Sequence, residues 1–187
     1  MAKAPAISRS CYIKKELFVL TIGGAQHRAG SIAALETVAP LLPWPVGLAD
    51  EGRGFATYSL PLRHLKRLGS LSLKQLRPWI ERASIFTSLA PADPFDLPTL
   101  EAALAECALV LADRPDLRQI WGDAALYVPP EDPAALEVAL VLLMIDPLYR
   151  QLMTKRARRR AQRLASERMA VNYLTLHQGL LANPRNC

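Results

Sequence analysis

The chain has 187 residues, of which 51% are hydrophobic and 21% charged, with a mean hydropathy of +0.10. This composition excludes a disordered polar chain, and the length suits one or two domains with a substantial core. The formal charge of +6 is local: between Lys155 and Arg168 seven Lys/Arg face one Glu, and the rest of the chain is balanced, so overall basicity does not point to nucleic acid.

Phe18-Val-Leu-Thr-Ile22, closed by Gly23-Gly24, reads as a buried strand ending in a tight turn. Ser31 is expected to cap a helix that carries Ile32, Leu35, Val38 and Ala39 on one face and stops at Pro40. Val46 to Ala49 is a second strand, and a third is expected around Leu68-Gly69. Helical spacing runs from Ser72 to Arg82 through Leu73, Leu76 and Ile80. Ser84 to Ser88 is a fourth strand, followed by a loop from Leu89 to Asp96 and a helix from Pro98 through Ala105. Ala108 to Ala112 is a fifth strand, Leu117 to Trp121 suits one helical turn, and Ala124 to Val128 is a sixth strand. Asp132-Pro133 and Asp146-Pro147 each set a capping carboxylate before a proline in the first helical position. Helices are therefore expected from 133 and 147, with another after Ser166. Strands alternating with helices imply a parallel sheet covered on both faces. The fold expected is one doubly wound, Rossmann-like α/β domain with a mostly parallel sheet and a C-terminal helical tail.

In such sheets ligands lie outside the carboxyl ends of the strands, near the point where strand order reverses. Two loops qualify, Gly23 to Gly30 and Leu89 to Pro98. The second opens a helix whose free N–H groups and dipole favour an anion such as phosphate. Glu101, expected in that helix's first turn, follows Asp93 by eight residues, so the two carboxylates can flank a ligand. A dipole-favoured surface Glu is the plainer reading of that spacing.

From Ala83 to Pro130 the sequence stops being generic. Ala92-Asp-Pro-Phe-Asp-Leu-Pro-Thr-Leu-Glu-Ala102, then Gly122-Asp-Ala-Ala, then Val128-Pro-Pro-Glu-Asp-Pro133 stand in order, with Glu167-Arg-Met-Ala170 and Tyr173 beyond them. These segments resemble the C-terminal, donor-binding domain of family 4 retaining glycosyltransferases, which carries E-P-F-G-L-x-x-L-E-A and V-P-P-x-D-P segments and a similar helical ending. Ile32-Ala-Ala-Leu35 and Leu42-Pro-Trp-Pro-Val46 are similar to bacterial members. The resemblance covers roughly residues 15–182, leaving 1–14 as an inter-domain remnant or linker and 183–187 as a tail.

The resemblance implies half of a two-domain GT-B fold and a UDP-, GDP- or ADP-linked sugar donor, with neither cofactor nor metal. Glu101 would hold the nucleotide ribose, and Asp93, one methylene shorter than the family's Glu, would contact the sugar at the reacting centre. Backbone amides around Phe95, Asp96 and Leu97 would face the diphosphate, beside the loop of Gly23, Gly24 and Arg28. The family's Arg, Lys and Asn of that loop fall on Gly24, Gly30 and Ser31, and its E-P-F-G glycine falls on Asp96. Cations that stabilise the departing diphosphate are thus missing, an anion is added, and only Arg28 or a protonated His27 could swing in. Only the C-terminal half is represented, so the isolated chain is expected to have negligible transferase activity, with a separate acceptor-domain chain as the implied partner. The alternative is a non-catalytic binding or regulatory module, or the remnant of a truncated gene.

The stretch Lys155 to Arg163 reads first as a solvated helix face, because Met153, Ala157, Ala161 and Leu164 recur at helical spacing and leave the arginines outside. Peripheral contact with an anionic membrane surface is the alternative. Nucleic acid is disfavoured, since no aromatic residues interleave the cluster. His27, His64 and His177 have no ligand spacing and suit structural or surface roles. Trp44, Trp79 and Trp121 suit core and helix–sheet contacts, and Cys107 an inert core thiol. Three cysteines, Cys11, Cys107 and Cys187, lie far apart without metal spacing, which fits a reducing cytoplasm. No apolar segment precedes Lys14-Lys15, so no signal peptide is expected. The longest apolar run, Val138 to Ile145, is far short of the ~20 residues a membrane helix needs.

Overall fold

The computed structural model describes residues 14–23, 29–50, 63–89 and 97–182, with backbone alone for 29–30 and 166–182. Six strands form one sheet: β1 (Glu16–Gly23), β2 (Val46–Asp50), β3 (Lys66–Ser70), β4 (Ala83–Ser88), β5 (Ala108–Ala112) and β6 (Leu126–Val128). Every pairing is parallel, and the strand order is β3-β2-β1-β4-β5-β6. The helices are α1 (Ala29–Val38), α2 (Leu73–Arg82), α3 (Leu97–Leu104), α4 (Pro115–Trp121), α5 (Pro133–Ile145) and α6 (Pro147–Ala182). Chain order reverses between β1 and β4, as in a doubly wound nucleotide-binding sheet.

Alternation along each strand divides the core between the two faces of the sheet. Phe18, Leu20 and Ile22 of β1 join Phe86, Leu109 and Leu111 on one face, covered by α2, α3, α4 and the turns of α6 from Ala157 to Leu164. Val19, Ile85, Ala108 and Val110 turn the other way, against α1 and α5. β5, covered on both sides, is an unbroken apolar run, and β1 is one from Leu17 to Ile22 but for Thr21, whereas β4 mixes Ile85 and Phe86 with Ser84, Thr87 and Ser88. Met153 of α6 belongs to the second core, whereas Ala157, Ala161 and Leu164 belong to the first. The two alanines share that core with Ala102 and Ala103 of α3, and α3 and α6 pack together with small side chains available between them, which lets the helix backbones approach closely.

Asp132 accepts from the Ala135 N–H at 3.1 Å and Asp146 from the Tyr149 N–H at 2.8 Å, so both Asp-Pro starts are real caps. Arg150 closes the other end of α5: its Nη1 donates to the Leu143 carbonyl at 2.6 Å, and its guanidinium lies 4.9 Å from the Trp44 ring centre. Trp121 is core, while the half-buried Trp79 meets Phe18 edge to face. Cys107 is fully buried, and burial pushes its thiol up against the opposing pull of the Lys15 ammonium 3.4 Å away. The thiol is therefore an inert core group. Glu36 of α1 accepts from three successive backbone N–H groups, Arg63 at 2.5 Å, His64 at 2.8 Å and Leu65 at 3.2 Å, and fixes the approach to β3.

Three expectations need correction. Ser31 is not a cap: α1 begins two residues earlier, and the buried Ser31 hydroxyl instead donates to the Leu89 carbonyl at 3.2 Å. Glu101 is the fifth residue of α3 and so lies past the first turn, because the helix starts at Leu97. No new helix begins after Ser166, since α6 runs unbroken to Ala182. In addition, β6 has only three residues, because Gly122–Ala124 form a 3-10 turn that takes up the start of the expected strand.

Gly122 makes that turn possible. Its φ of 55° and ψ of −123° fall where side chains are strained, although a Cβ there would meet no neighbour. Gly122→Ala is expected to destabilise the domain by about 1–2 kcal/mol through backbone strain alone. Urea unfolding measures this, and an unchanged midpoint would mean the turn relaxes freely.

Candidate functional site

The site is built at the carboxyl end of the sheet, where β1 and β4 part company in chain order. Two buried hydroxyls pin this region. Thr21 of β1 donates to the Thr87 carbonyl of β4 at 3.1 Å, and Ser31 ties the start of α1 to Leu89, just past β4. The segments that follow Gly23 and Leu89, which carry the candidate ligand-binding residues, therefore leave from neighbouring fixed points.

A cleft of about 610 Å³ opens beside these points, lined by Ser31, Leu89, Asp113 and Arg114, and by the run Pro129 to Asp132. Its walls come from the carboxyl ends of β4, β5 and β6 and the first turns of α1. The volume is in the usual range for a small-molecule site. Three carboxylates and one guanidinium line it, but they are not equally available. Asp113 accepts from Arg118 through both oxygens, at 2.5 and 2.9 Å, and this hydrogen-bonded pairing holds its carboxyl below the ordinary value. Asp132 is committed to capping α5, and Arg114 lies 2.5 Å from Asp116. Glu131 is exposed at the cleft mouth. Such a lining accepts hydrogen bonds from ligand hydroxyls, as on a sugar or ribose, and offers a diphosphate little charge neutralisation.

The expected site residues are distributed unevenly. Gly23 is the buried last residue of β1, in register with Asp50 of β2. Leu97 opens α3 and is 42% exposed, and Glu101 is half-buried one turn further on. Glu101 is not among the residues lining the cleft. Gly24, Arg28, Asp93, Phe95 and Asp96 lie outside the described residues, as does His27. His64 is an exposed surface residue whose Nδ1 is 3.1 Å from Glu36. Among the described residues no three His, Cys, Asp or Glu side chains stand together as metal ligands would.

Sequence reasoning missed the lining after β5 and β6. The signal was present, since Asp113-Arg114 and Pro129 to Asp132 directly follow two strands legible in the sequence, at the ends where ligands bind. It also missed Asp50, which is buried at the carboxyl end of β2 and has one carboxylate oxygen without a hydrogen-bond partner among the described residues.

A doubly wound parallel sheet with a cleft beside its switch point defines a Rossmann-like α/β domain. No family model and no curated protein matches the sequence, but solved structures match the fold. Sucrose-phosphate synthase from Thermosynechococcus elongatus aligns with 88% of this chain at 20% identity and a TM-score of 0.70, over 45% of its own length. The catalytic domain of cholesterol-α-glucosyltransferase from Helicobacter pylori aligns with 79% of this chain and 98% of its own, at 16% identity and a TM-score of 0.66. The C-terminal domain of a group 1 family glycosyl transferase from Francisella tularensis aligns with 80% of this chain and 86% of its own, at 17% identity and a TM-score of 0.62. The chain thus spans less than half of the synthase and most of the two isolated domains. Its fold is shared with these glycosyltransferase structures.

Proposed function

We propose that this domain binds the nucleotide-diphosphate sugar of a family 4, retaining glycosyl transfer, in the cytoplasm, with the acceptor side supplied by a second domain or chain. The observation that carries this reading is the cleft beside the β1/β4 switch point, on a fold shared with glycosyltransferases. In this reading Glu101 holds the ribose, Asp93 meets the sugar, and amides from Phe95 to Leu97 face the diphosphate beside Gly23, Gly24 and Arg28. Hydroxyl-accepting groups such as Glu131 suit the sugar end. Without cations at Gly24 and Gly30, and with Asp96 opposing the same charge, donor binding is weak and transfer by the chain alone is negligible. The carboxylate-rich lining gives the second reading its support: a binding or regulatory module that recognises a sugar nucleotide without turning it over. The basic stretch Lys155 to Arg163, on a separate part of the surface, is proposed to contact anionic membrane.

Thermal unfolding with UDP, GDP, ADP and their common sugars tests the donor reading. A ligand at ten times its Kd stabilises by about 1.4 kcal/mol, which raises the Tm by about 3–6 °C for a chain of this size. One nucleotide class is expected to give such a rise, and Glu101→Ala to abolish it. No rise with any of them at millimolar concentration would overturn the donor reading. A rise without any donor hydrolysis or transfer, even when an acceptor domain is added, would favour the binding module.

A further inference from the structure

We infer that α5 and the first half of α6 form one docking face for an anionic lipid bilayer, in which an apolar patch inserts and a row of cations meets the headgroups. The inference rests on the membrane contact proposed above for Lys155 to Arg163 and adds the apolar half, which turns surface attraction into insertion.

Glu137 is the only charged residue within α5. A helix apolar on nearly every side is ordinarily covered on every side, yet among the described residues α5 is covered on one only. Leu136, Leu140 and Leu143 are fully buried against the sheet and α1, whereas Val138, Leu142 and Ile145 are 69%, 38% and 68% exposed. These three recur at i, i+4 and i+7, so they form one outward stripe. The patch continues past the Asp146 cap into α6, where Leu148 is 79% and Leu152 44% exposed. Leu148 lies nine residues from the buried Ala157, which at 3.6 residues per turn places them on opposite sides of the helix.

Further along α6 the same outer stripe turns cationic, through Lys155, Arg159 and Arg163, all exposed. Their neighbours are turned toward the body of the domain. Arg156 is 3.4 Å from Asp123, Arg158 pairs with Glu106, and Arg160 donates to the Gln119 and Ile120 carbonyls. Among the described side chains, Lys155, Arg159 and Arg163 have no such partner. The described cations from Lys155 to Arg163 are thus sorted: those on the flanks of the helix bond to the body of the domain, and those on its outer stripe have no partner among the described side chains.

An apolar patch leading into a row of unneutralised cations is the pattern of a helix that lies in a membrane interface. Charge complementarity favours a bilayer over a second copy of the chain, which would gather the cations of both copies with no carboxylate between Leu148 and Arg163 to meet them. Each cation near an anionic surface strengthens attachment about fivefold.

The test is flotation of the full chain with vesicles of phosphatidylglycerol and phosphatidylcholine in equal parts, or of phosphatidylcholine alone, at low and high salt. Attachment to the anionic vesicles is expected, with a remainder that resists salt. Replacing Lys155, Arg159 and Arg163 by Gln together is expected to weaken attachment about a hundredfold at low salt. Val138→Gln, Ile145→Gln and Leu148→Gln together are expected to cut the salt-resistant remainder by about tenfold or more while sparing much of the low-salt attachment. All six positions are exposed, and an unchanged thermal transition checks that the variants fold. If the anionic vesicles bind the chain and the apolar variant behaves like the parent, insertion is overturned and the simpler membrane contact stands. If nothing floats even at low salt, both fall. If the parent sediments as a dimer that the apolar variant dissolves, without floating on vesicles, the face belongs to a second copy and the inference is overturned.

Discussion

Gly24→Arg, Gly30→Lys and Asp96→Gly, introduced together, are expected to tighten nucleotide-diphosphate binding by about two powers of ten, measured by calorimetry against the parent chain. Gly24 directly follows the end of β1 at the switch point, and Gly30 lies in the first turn of α1. A single unit charge ~5 Å from a phosphate, at an effective dielectric constant of ~20, is worth roughly 3 kcal/mol. The triple change adds two cations and removes one anion, so a hundredfold is a modest share of what full exposure to the diphosphate would give. The ribose contact at Glu101 is untouched, so the gain should appear for nucleoside diphosphates and their sugars and be small for the bare nucleoside. Slow donor hydrolysis is expected to rise with affinity, because the same cations stabilise the leaving diphosphate. Transfer is expected to stay negligible, since without an acceptor domain the proximity contribution of ~7 kcal/mol or more is missing. If the triple variant binds no tighter than the parent, these positions do not face the diphosphate. If the parent already turns over donor at about 1 per second or faster, its site is not impaired.

The elements that sequence patterns locate well are those whose physics is local. The strand Ala108 to Ala112 was legible to the residue, because burial on both faces demands an unbroken apolar run. Asp132-Pro133 and Asp146-Pro147 were legible because a cap and a fixed φ act within one turn. Ser31 misled because its hydroxyl is used at long range, on Leu89, and nothing local distinguishes that bond from a cap. Ser166 misled for a related reason: a capping residue starts a helix only where another has ended, and neither Pro nor Gly interrupts the chain between Pro147 and Gly179. The cleft was half legible. The switch-point rule indicates the correct end of the sheet, but only the observed strand order brings Asp113 and the Pro129 to Asp132 run beside Ser31 and Leu89. The outward apolar stripe of α5 could not be read at all, because its residues differ from the core residues of the same helix only in where α1 and the sheet happen to lie.

Glu36→Ala is expected to cost about 3 kcal/mol of stability at neutral pH, and that cost should shrink as the solution becomes acidic. One carboxylate serves the Arg63, His64 and Leu65 amides, with the His64 ring at 3.1 Å as a further contact. Hydrogen bonds to a charged acceptor are each worth roughly 1.5–3 kcal/mol, and since Arg63 and His64 are exposed, water recovers part of the loss when the carboxylate is removed. Burial pushes the Glu36 carboxyl up, but the three backbone donors and the His64 ring outweigh it and hold the group below its ordinary value of 4.5. The folded protein therefore binds this proton less readily than the unfolded chain does. The contribution is complete above the ordinary carboxylate range and is lost as the pH falls through the lowered folded value. Urea unfolding of parent and variant between neutral pH and about pH 3 should show two curves that converge toward the acid end. Glu36→Gln keeps one acceptor oxygen and no charge, so it should fall between them at neutral pH and run parallel to the alanine variant on acidification. A loss below about 0.5 kcal/mol for the alanine variant would mean that water serves these amides as well as Glu36 does, and that the approach to β3 is held by Leu65 packing alone.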